Sequence, residues 1–232
     1  MEKEKIVALV LAAGTGKRMQ SSTAKQYMLL GGKPLVCYAL EAFERSPVDE
    51  VILVTGEKEI DYCKNDIVKK YGYQKVTRVV AGGKERYHSV YQGLKAIGQA
   101  DYVLIHDGAR PFITEEVLKR IYGQVQDKKA CVVGMPVKDT IKIATEDTYA
   151  SVTPDRRLMW MIQTPQAFSY PEILQAYEKI IADGDDSVTD DAMVLEHAAH
   201  MPVKLIEGSY HNIKITTPED MKIAEMFLKE YF

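Results

Sequence analysis

The chain has 232 residues, enough for one well-buried domain, and its 30 Lys and Arg against 33 Asp and Glu leave a formal net charge of −3 without large runs of either sign, so neither nucleic acid nor a membrane surface is expected as a partner. Cys37, Cys63 and Cys131 are too few and too scattered for a disulfide framework or a zinc site. The apolar stretch near the N-terminus is too short for a membrane span and lacks a cleavage pattern, so the cytoplasm is the expected compartment.

The first element is an apolar run, Ile6–Ala12, which reads as a buried parallel strand. It opens through Ala13, Gly14, Thr15 and Gly16 into Lys17 and Arg18, with Lys25-Gln26-Tyr27 close behind. A strand that ends in small residues followed by cations suits a loop whose backbone amides wrap phosphates. Met19 stands where a dinucleotide fingerprint needs its third glycine, which disfavours hydride chemistry. Gly16-Lys17-Arg18 lacks the metal-binding hydroxyl of a P-loop. What remains is a loop of about twenty residues, from Ala13 to Lys33, and a loop that long inside a domain is usually functional. Lys17, Arg18 and Lys25 would point at a polyphosphate.

Further along, helical periodicity alternates with short apolar runs. Pro34–Arg45, Ile60–Tyr71, Glu85–Ala96 and Thr114–Asp127 read as helices; Val51–Thr55, Val76–Ala81, Tyr102–His106 and Cys131–Pro136 read as strands. Val203–Glu207 looks like one more strand, and Tyr170–Asp183, Asp190–His200 and Pro218–Tyr231 like helices. The pattern predicts an α/β fold with a doubly wound, mostly parallel sheet, as a single domain over residues 1–232. One segment does not fit: Lys138–Met161 alternates polar and apolar residues with nothing in its own subunit to cover it. It reads as a protruding β-arm that packs on a second copy, or as an excursion at the sheet edge.

Ligands of such sheets sit outside the carboxyl ends of the strands, so the residues there decide the chemistry. After the third strand come Gly82 and Gly83, with Ser89 on the following helix, where backbone groups can approach a base edge. After the fourth come His106, Asp107 and Arg110: a carboxylate for a ribose hydroxyl or a nucleotide-bound cation, or an Asp107–Arg110 ion pair, beside a structural histidine. Lys138-Asp139-Thr140, Gln163-Thr164-Pro165-Gln166 and Thr189-Asp190-Asp191 are further polar clusters. Thr189 also suits a helix N-cap, and Asn212-Ile213-Lys214 closes a strand-like run.

Taken in order, Leu11–Met19, Lys25–Tyr27, Gly82–Gly83 with Arg86 and Ser89, His106–Phe112, Pro136–Lys142, Thr164–Phe168, Thr189–Ala192 and Asn212–Pro218 resemble the bacterial 2-C-methyl-D-erythritol 4-phosphate cytidylyltransferases of the non-mevalonate isoprenoid pathway, from about residue 6 to about residue 228. The resemblance implies a Rossmann-like nucleotidyltransferase that joins CTP to methylerythritol phosphate, releasing pyrophosphate, with Mg²⁺ bound mainly through the CTP phosphates. It implies that Arg18 and Lys25 stabilise the transition state, and that Ala12, Ala13, Gly14, Gly82, Gly83, Ser89 and Asp107 hold the nucleotide. It implies that Arg156, Lys214, Thr140, Arg110, Thr164 and Thr189 place the polyol phosphate, with Thr140 and Arg156 reaching a neighbour's site on the exchanged arm of a homodimer. Gly108 and His211 depart from common family residues, away from the chemistry. A ribitol-5-phosphate cytidylyltransferase is the nearest competing reading, and a non-catalytic nucleotide-binding module the next.

Overall fold

A computed structural model describes residues 3–14 and 24–231. Its strands are β1 (Ile6–Ala12), β2 (Leu29–Leu30), β3 (Lys33–Pro34), β4 (Glu50–Thr55), β5 (Val76–Ala81), β6 (Tyr102–Asp107), β7 (Ala130–Pro136), β8 (Ile143–Ala144), β9 (Ala150–Val152), β10 (Trp160–Ser169) and β11 (Lys204–Glu207). The helices are α1 (Leu35–Arg45), α2 (60–71, with a π-helical stretch over Cys63–Lys69), α3 (Arg86–Ala96), α4 (Glu115–Lys128), α5 (Tyr170–Asp183), α6 (Asp191–Ala199) and α7 (Pro218–Tyr231).

Seven strands form one sheet in the order β11-β7-β10-β6-β1-β4-β5. β1 pairs in parallel with β4 and β6, β4 with β5, and β7 with β11. Alternation along β1 explains the layering: Ile6, Ala8, Val10 and Ala12 pack with α1, α2 and α4 on one face, whereas Val7 and Leu9 pack with α3, α5 and α6 on the other. The chain runs outward from β1 through β4 to β5 and then returns to β6 on the opposite flank. A doubly wound sheet that reverses at β1/β6 leaves a crevice outside the carboxyl ends of those two strands.

The expected sheet is thus present, and three local expectations are corrected. β10 is an antiparallel strand inserted between β6 and β7, where the sequence reading has the end of an arm followed by a polar cluster. Pro165 and two glutamines disguise it, because proline cannot donate to a ladder and glutamine is disfavoured in a core. The ladder with β7 breaks between Ile162 and Gln166, the stretch that contains Pro165. Gln166 is 1% exposed and satisfied, its Nε2 donating to Asp190 and its Oε1 accepting from the Ala192 amide. Asn212-Ile213-Lys214 is a second correction: it lies in irregular chain beyond β11. The helix cap is a third, since Asp190, not Thr189, accepts from the Met193 amide at the start of α6.

The segment expected as an arm falls between Pro136 and Trp160 except for its last two residues, which begin β10, and its β8–β9 hairpin pairs with neither neighbouring strand of the large sheet. Tyr149 is 76% exposed and Leu158 is 78% exposed. All three cysteines are free and buried, and burial pushes the Cys37 thiol up to about 11 and the Cys131 thiol up to about 12.

Candidate active site

The crevice at the β1/β6 reversal contains a cleft of about 320 Å³ walled by Ala13, Gly14, Lys25, Gly83, Ser89, Asp107 and Lys214, among others. Its floor is built from strand ends. The Gly82 amide donates to the Thr55 carbonyl at 2.7 Å, carrying the turn after β5 across the tip of β4. A Cβ on Gly82 would stand 2.6 Å from the Ala13 Cβ and 2.7 Å from the Ser89 Oγ, so only glycine lets this turn reach the chain leaving β1. Ser89 Oγ accepts from the Gly83 amide at 3.1 Å and lies 3.1 Å from the Glu85 carbonyl, which fixes the turn against the first coil of α3.

Asp107 ends β6 and is 7% exposed. Its Oδ2 lies 2.8 Å from Lys214 Nζ and 3.8 Å from Arg110 Nε, and its Oδ1 lies 3.5 Å from Arg86 Nε. Burial alone would raise this carboxyl, but Arg86, Lys214 and Arg110 overcome that and hold it well below the usual carboxylate range. Arg86 in turn forks onto Asp191, Nη1 and Nη2 each 2.8 Å from a carboxylate oxygen. Asp191 is fully buried and also accepts from the Tyr177 hydroxyl at 2.6 Å. Burial opposes the Arg86 charge, yet Asp191 and Asp107 hold its pKa well above the ordinary value. Three cations face two carboxylates here, and Lys25 adds a fourth on the rim, so the cleft carries an excess of positive charge suited to a polyphosphate.

His106 and Thr164 hold Asp107 from behind. The Arg110 carbonyl, 3.1 Å from His106 Nε2, can only accept, so the neutral imidazole carries its proton on Nε2. Its Nδ1 then accepts from the Thr164 hydroxyl at 3.0 Å, and Thr164 Oγ1 accepts from the Asp107 amide, also at 3.0 Å. Burial pushes this imidazole down to about 4, so it is neutral and structural at neutral pH. Asn212 ties the Lys214 loop to the same corner: its Nδ2 donates to the Thr164 carbonyl at 2.9 Å, and its carbonyl accepts from Arg110 Nη1 at 2.8 Å.

The structure therefore gathers Ala13, Gly14, Lys25, Gly82, Gly83, Ser89, Asp107, Arg110 and Lys214 in one place, with the Ala12 carbonyl at the base. Thr164 is 4% exposed and has both hydrogen-bonding functions engaged, so it positions Asp107 and does not line the cleft. Thr189 lines a second recess of about 320 Å³, beyond Arg86, with Lys84, His88, Asp186 and Asp190. Thr140 and Arg156 are exposed on the arm and line neither space; Arg156 Nη1 donates to the Lys138 carbonyl at 2.8 Å. Arg18, with Lys17, lies outside the described residues. Arg86–Asp191–Tyr177 has no counterpart among the expected site residues, because its members are far apart in sequence and only the Thr189-Asp190-Asp191 cluster hints at it. Among the described residues no group of three or more His, Cys, Asp or Glu side chains could hold a metal by itself.

A sequence profile described as 2-C-methyl-D-erythritol 4-phosphate cytidylyltransferase (IspD) matches residues 6–230. The chain belongs to this family. A 2-C-methyl-D-erythritol 4-phosphate cytidylyltransferase of Lachnoclostridium phytofermentans is 51% identical over 228 residues, 98% of each chain. Another, of Lachnospira eligens, is 51% identical over 224 residues, 96% of this chain and 98% of its own. The crystal structure of the 4-diphosphocytidyl-2C-methyl-D-erythritol synthase of Anaerococcus prevotii superposes with a TM-score of 0.86 at 37% identity, covering 98% of this chain and 97% of that one. The mostly parallel sheet is thus that of a cytidylyltransferase of this family.

Proposed function

We propose that this chain transfers the cytidylyl group of CTP to 2-C-methyl-D-erythritol 4-phosphate, giving 4-diphosphocytidyl-2-C-methyl-D-erythritol and pyrophosphate. The observation that carries this reading, beside family membership, is the cleft at the β1/β6 reversal, whose buried Asp107 is ringed by Arg86, Arg110 and Lys214. A phosphate oxygen of the polyol phosphate attacks the α-phosphorus of CTP. The new P–O bond forms as the α–β bridging bond breaks, and the electron pair leaves with pyrophosphate. A phosphate monoester has its second pKa at about 6, so the nucleophile is already ionised and no general base is required. Positioning and charge neutralisation supply the rate enhancement.

Lys25, with Arg18, neutralises charge growing on the α-phosphoryl oxygens and the departing pyrophosphate. The backbone around Ala12, Ala13, Gly14, Gly82 and Gly83, with Ser89, holds the cytosine and triphosphate. Lys214 and Arg110 orient the acceptor phosphate, and Thr189 borders its polyol. Mg²⁺ would be held mainly by the CTP phosphates, with Asp107 as the carboxylate at the end of β6 beside them, and would supply withdrawal of charge from the triphosphate.

The protein acts as a single-domain cytoplasmic homodimer in which the arm carries Thr140 and Arg156 to the neighbour's cleft. No helix among the described residues is long and apolar enough to cross a membrane. The exposed apolar arm and the absence of its two residues from their own cleft support exchange. Pyrophosphate release from CTP with a panel of polyol phosphates tests the reaction: methylerythritol phosphate should be the preferred acceptor, and preference for ribitol 5-phosphate would overturn it. Mixing inactive Lys25→Ala and Arg156→Ala proteins tests exchange. Random reassembly gives about half mixed dimers with one intact site each, so activity should return to about a quarter of wild type. No recovery after subunit exchange is verified by mass spectrometry would place Arg156 in its own subunit's site.

A further inference from the structure

Just behind the cleft, Gln26 is 3% exposed although it belongs to a short 3₁₀ turn, Lys25–Tyr27, on the rim of a nucleotide site. Its carboxamide nitrogen lies 2.5 Å from the Ala12 carbonyl and 2.9 Å from the Gly14 carbonyl. Both of its hydrogens are therefore engaged by the backbone that leaves β1. These two carbonyls stand where β1 runs out, at and beyond the last residue it pairs with β4. The Ala12 carbonyl is buried, and a buried carbonyl at such a point needs a donor from elsewhere, while the Gly14 carbonyl lies at the exposed start of the loop. Tyr27 supplies a further one: its hydroxyl lies 3.2 Å from the Ala12 carbonyl, and it is also hydrogen-bonded to Thr55 Oγ1 at the end of β4. The chain departing at Gly14 and the chain arriving at Lys25 are thus closed by one side chain, and Lys25 is its immediate neighbour in the turn.

We propose that Gln26 is a positioning residue for cytidylyl transfer: by clasping the Ala12 and Gly14 carbonyls it sets the backbone wall that receives the nucleotide and the turn that aims Lys25 at the reacting phosphate. This rests on the cytidylyltransferase reading above. Gln26 itself touches no reacting atom. It acts on two things at once, the shape of the nucleotide wall and the placement of a transition-state cation, so its loss changes both nucleotide affinity and turnover. Because it holds nothing that contacts the acceptor, the affinity for the polyol phosphate is left alone.

Two variants of nearly the same size separate this role from mere support of the fold. Gln26→Met removes both donors, and Gln26→Glu also sets carboxyl oxygens against two carbonyls. For the folded protein, Gln26→Met should raise KM for CTP on the order of tenfold and lower kcat on the order of tenfold, since leaving the loop unclasped costs two hydrogen bonds and displaces a catalytic cation. Gln26→Glu should be worse on both counts, and KM for methylerythritol phosphate should stay within about twofold in both variants. A purely structural role would reduce the active fraction, lowering apparent kcat with both KM values unchanged, and that result would overturn the proposal. So would loss of folding in both variants by circular dichroism. If wild type turns over CTP and the variants match it, the proposal fails and the cytidylyltransferase reading stands. If wild type shows no turnover, the reading fails, and calorimetric titration with CTP still decides the clasp: wild type should bind and Gln26→Met should bind about tenfold more weakly. Equal affinities, or no binding to wild type, would end it.

Discussion

Replacing Asp191 with Asn removes one fully buried carboxylate charge from an ion pair beside the cleft while keeping the volume of the side chain. In the wild-type protein Asp191 is fully buried, forked by Arg86 at 2.8 Å and capped by the Tyr177 hydroxyl at 2.6 Å. Breaking a buried pair by neutralising one member costs about 3–5 kcal/mol, because the other charge is left desolvated. The Arg86 side chain retains 29% of its exposure and a second anion, Asp107 at 3.5 Å, so water and that carboxylate recover part of the loss. The lower end, about 3 kcal/mol, is therefore expected. For a chain of 150–250 residues each kcal/mol moves Tm by about 2–4 °C, which puts the fall at about 6–12 °C. Scanning calorimetry and urea unfolding at pH 7.5 would measure it. Removing the partner as well, in Arg86→Met/Asp191→Leu, should restore part of the stability, because an apolar pair leaves no unpaired charge; the Tyr177 hydroxyl, left without its acceptor, withholds about 1 kcal/mol. A loss below about 1 kcal/mol for Asp191→Asn, or strict additivity of the Arg86 and Asp191 substitutions, would show that the pair is not coupled as its geometry requires.

Lys25→Ala should lower kcat on the order of 10²-fold with a smaller effect on CTP affinity, because its charge is matched to charge that develops in the transition state; near-normal kcat in a steady-state assay would remove Lys25 from that role. Gly82→Ala would bring a Cβ to 2.6 Å from Ala13 and 2.7 Å from Ser89 Oγ, pushing the turn after β5 off the nucleotide wall. KM for CTP should rise on the order of tenfold, and an unchanged value would mean that the turn does not bound the nucleotide site. His106 titrates at about 4 in the folded protein against an ordinary 6.5, so the unfolded chain binds more protons between those values. Its contribution to stability is fully present above about pH 6.5 and is lost as pH falls towards about 4. Urea midpoints of wild type and His106→Asn should converge over that window, and a constant difference between them would refute the assignment.

The local elements of this protein are legible in contiguous residues. The apolar run Ile6–Ala12 followed by small residues and cations marks the central strand and its loop, and the spacing of apolar residues through Tyr170–Asp183 and Pro218–Tyr231 marks two helices whose bounds the structure reproduces. A strand or helix must bury one of its own faces, and that requirement is written at a period of two or of 3.6. The residue types at the strand ends likewise point to a polyphosphate. What lies beyond the reach of local pattern is the partner of each buried polar group. Gln163, Pro165 and Gln166 carry the composition of a loop, yet they sit in the interior strand β10, because Asn212, Asp190 and the Ala192 amide arrive from elsewhere in the chain to satisfy the glutamines. Thr164 reads as a candidate for touching substrate, and only the approach of β10 to β6 commits its hydroxyl to the Asp107 amide and His106. Asp191 reads as one acidic residue at a helix start, until the packing of α5 against both α3 and α6 sets it on Arg86, 105 residues away in sequence. Burial periodicity is a property of a segment, whereas the free energy of a buried charge or amide depends on what another segment brings to it, so the tertiary structure alone decided which polar residues form the site and which hold it in place.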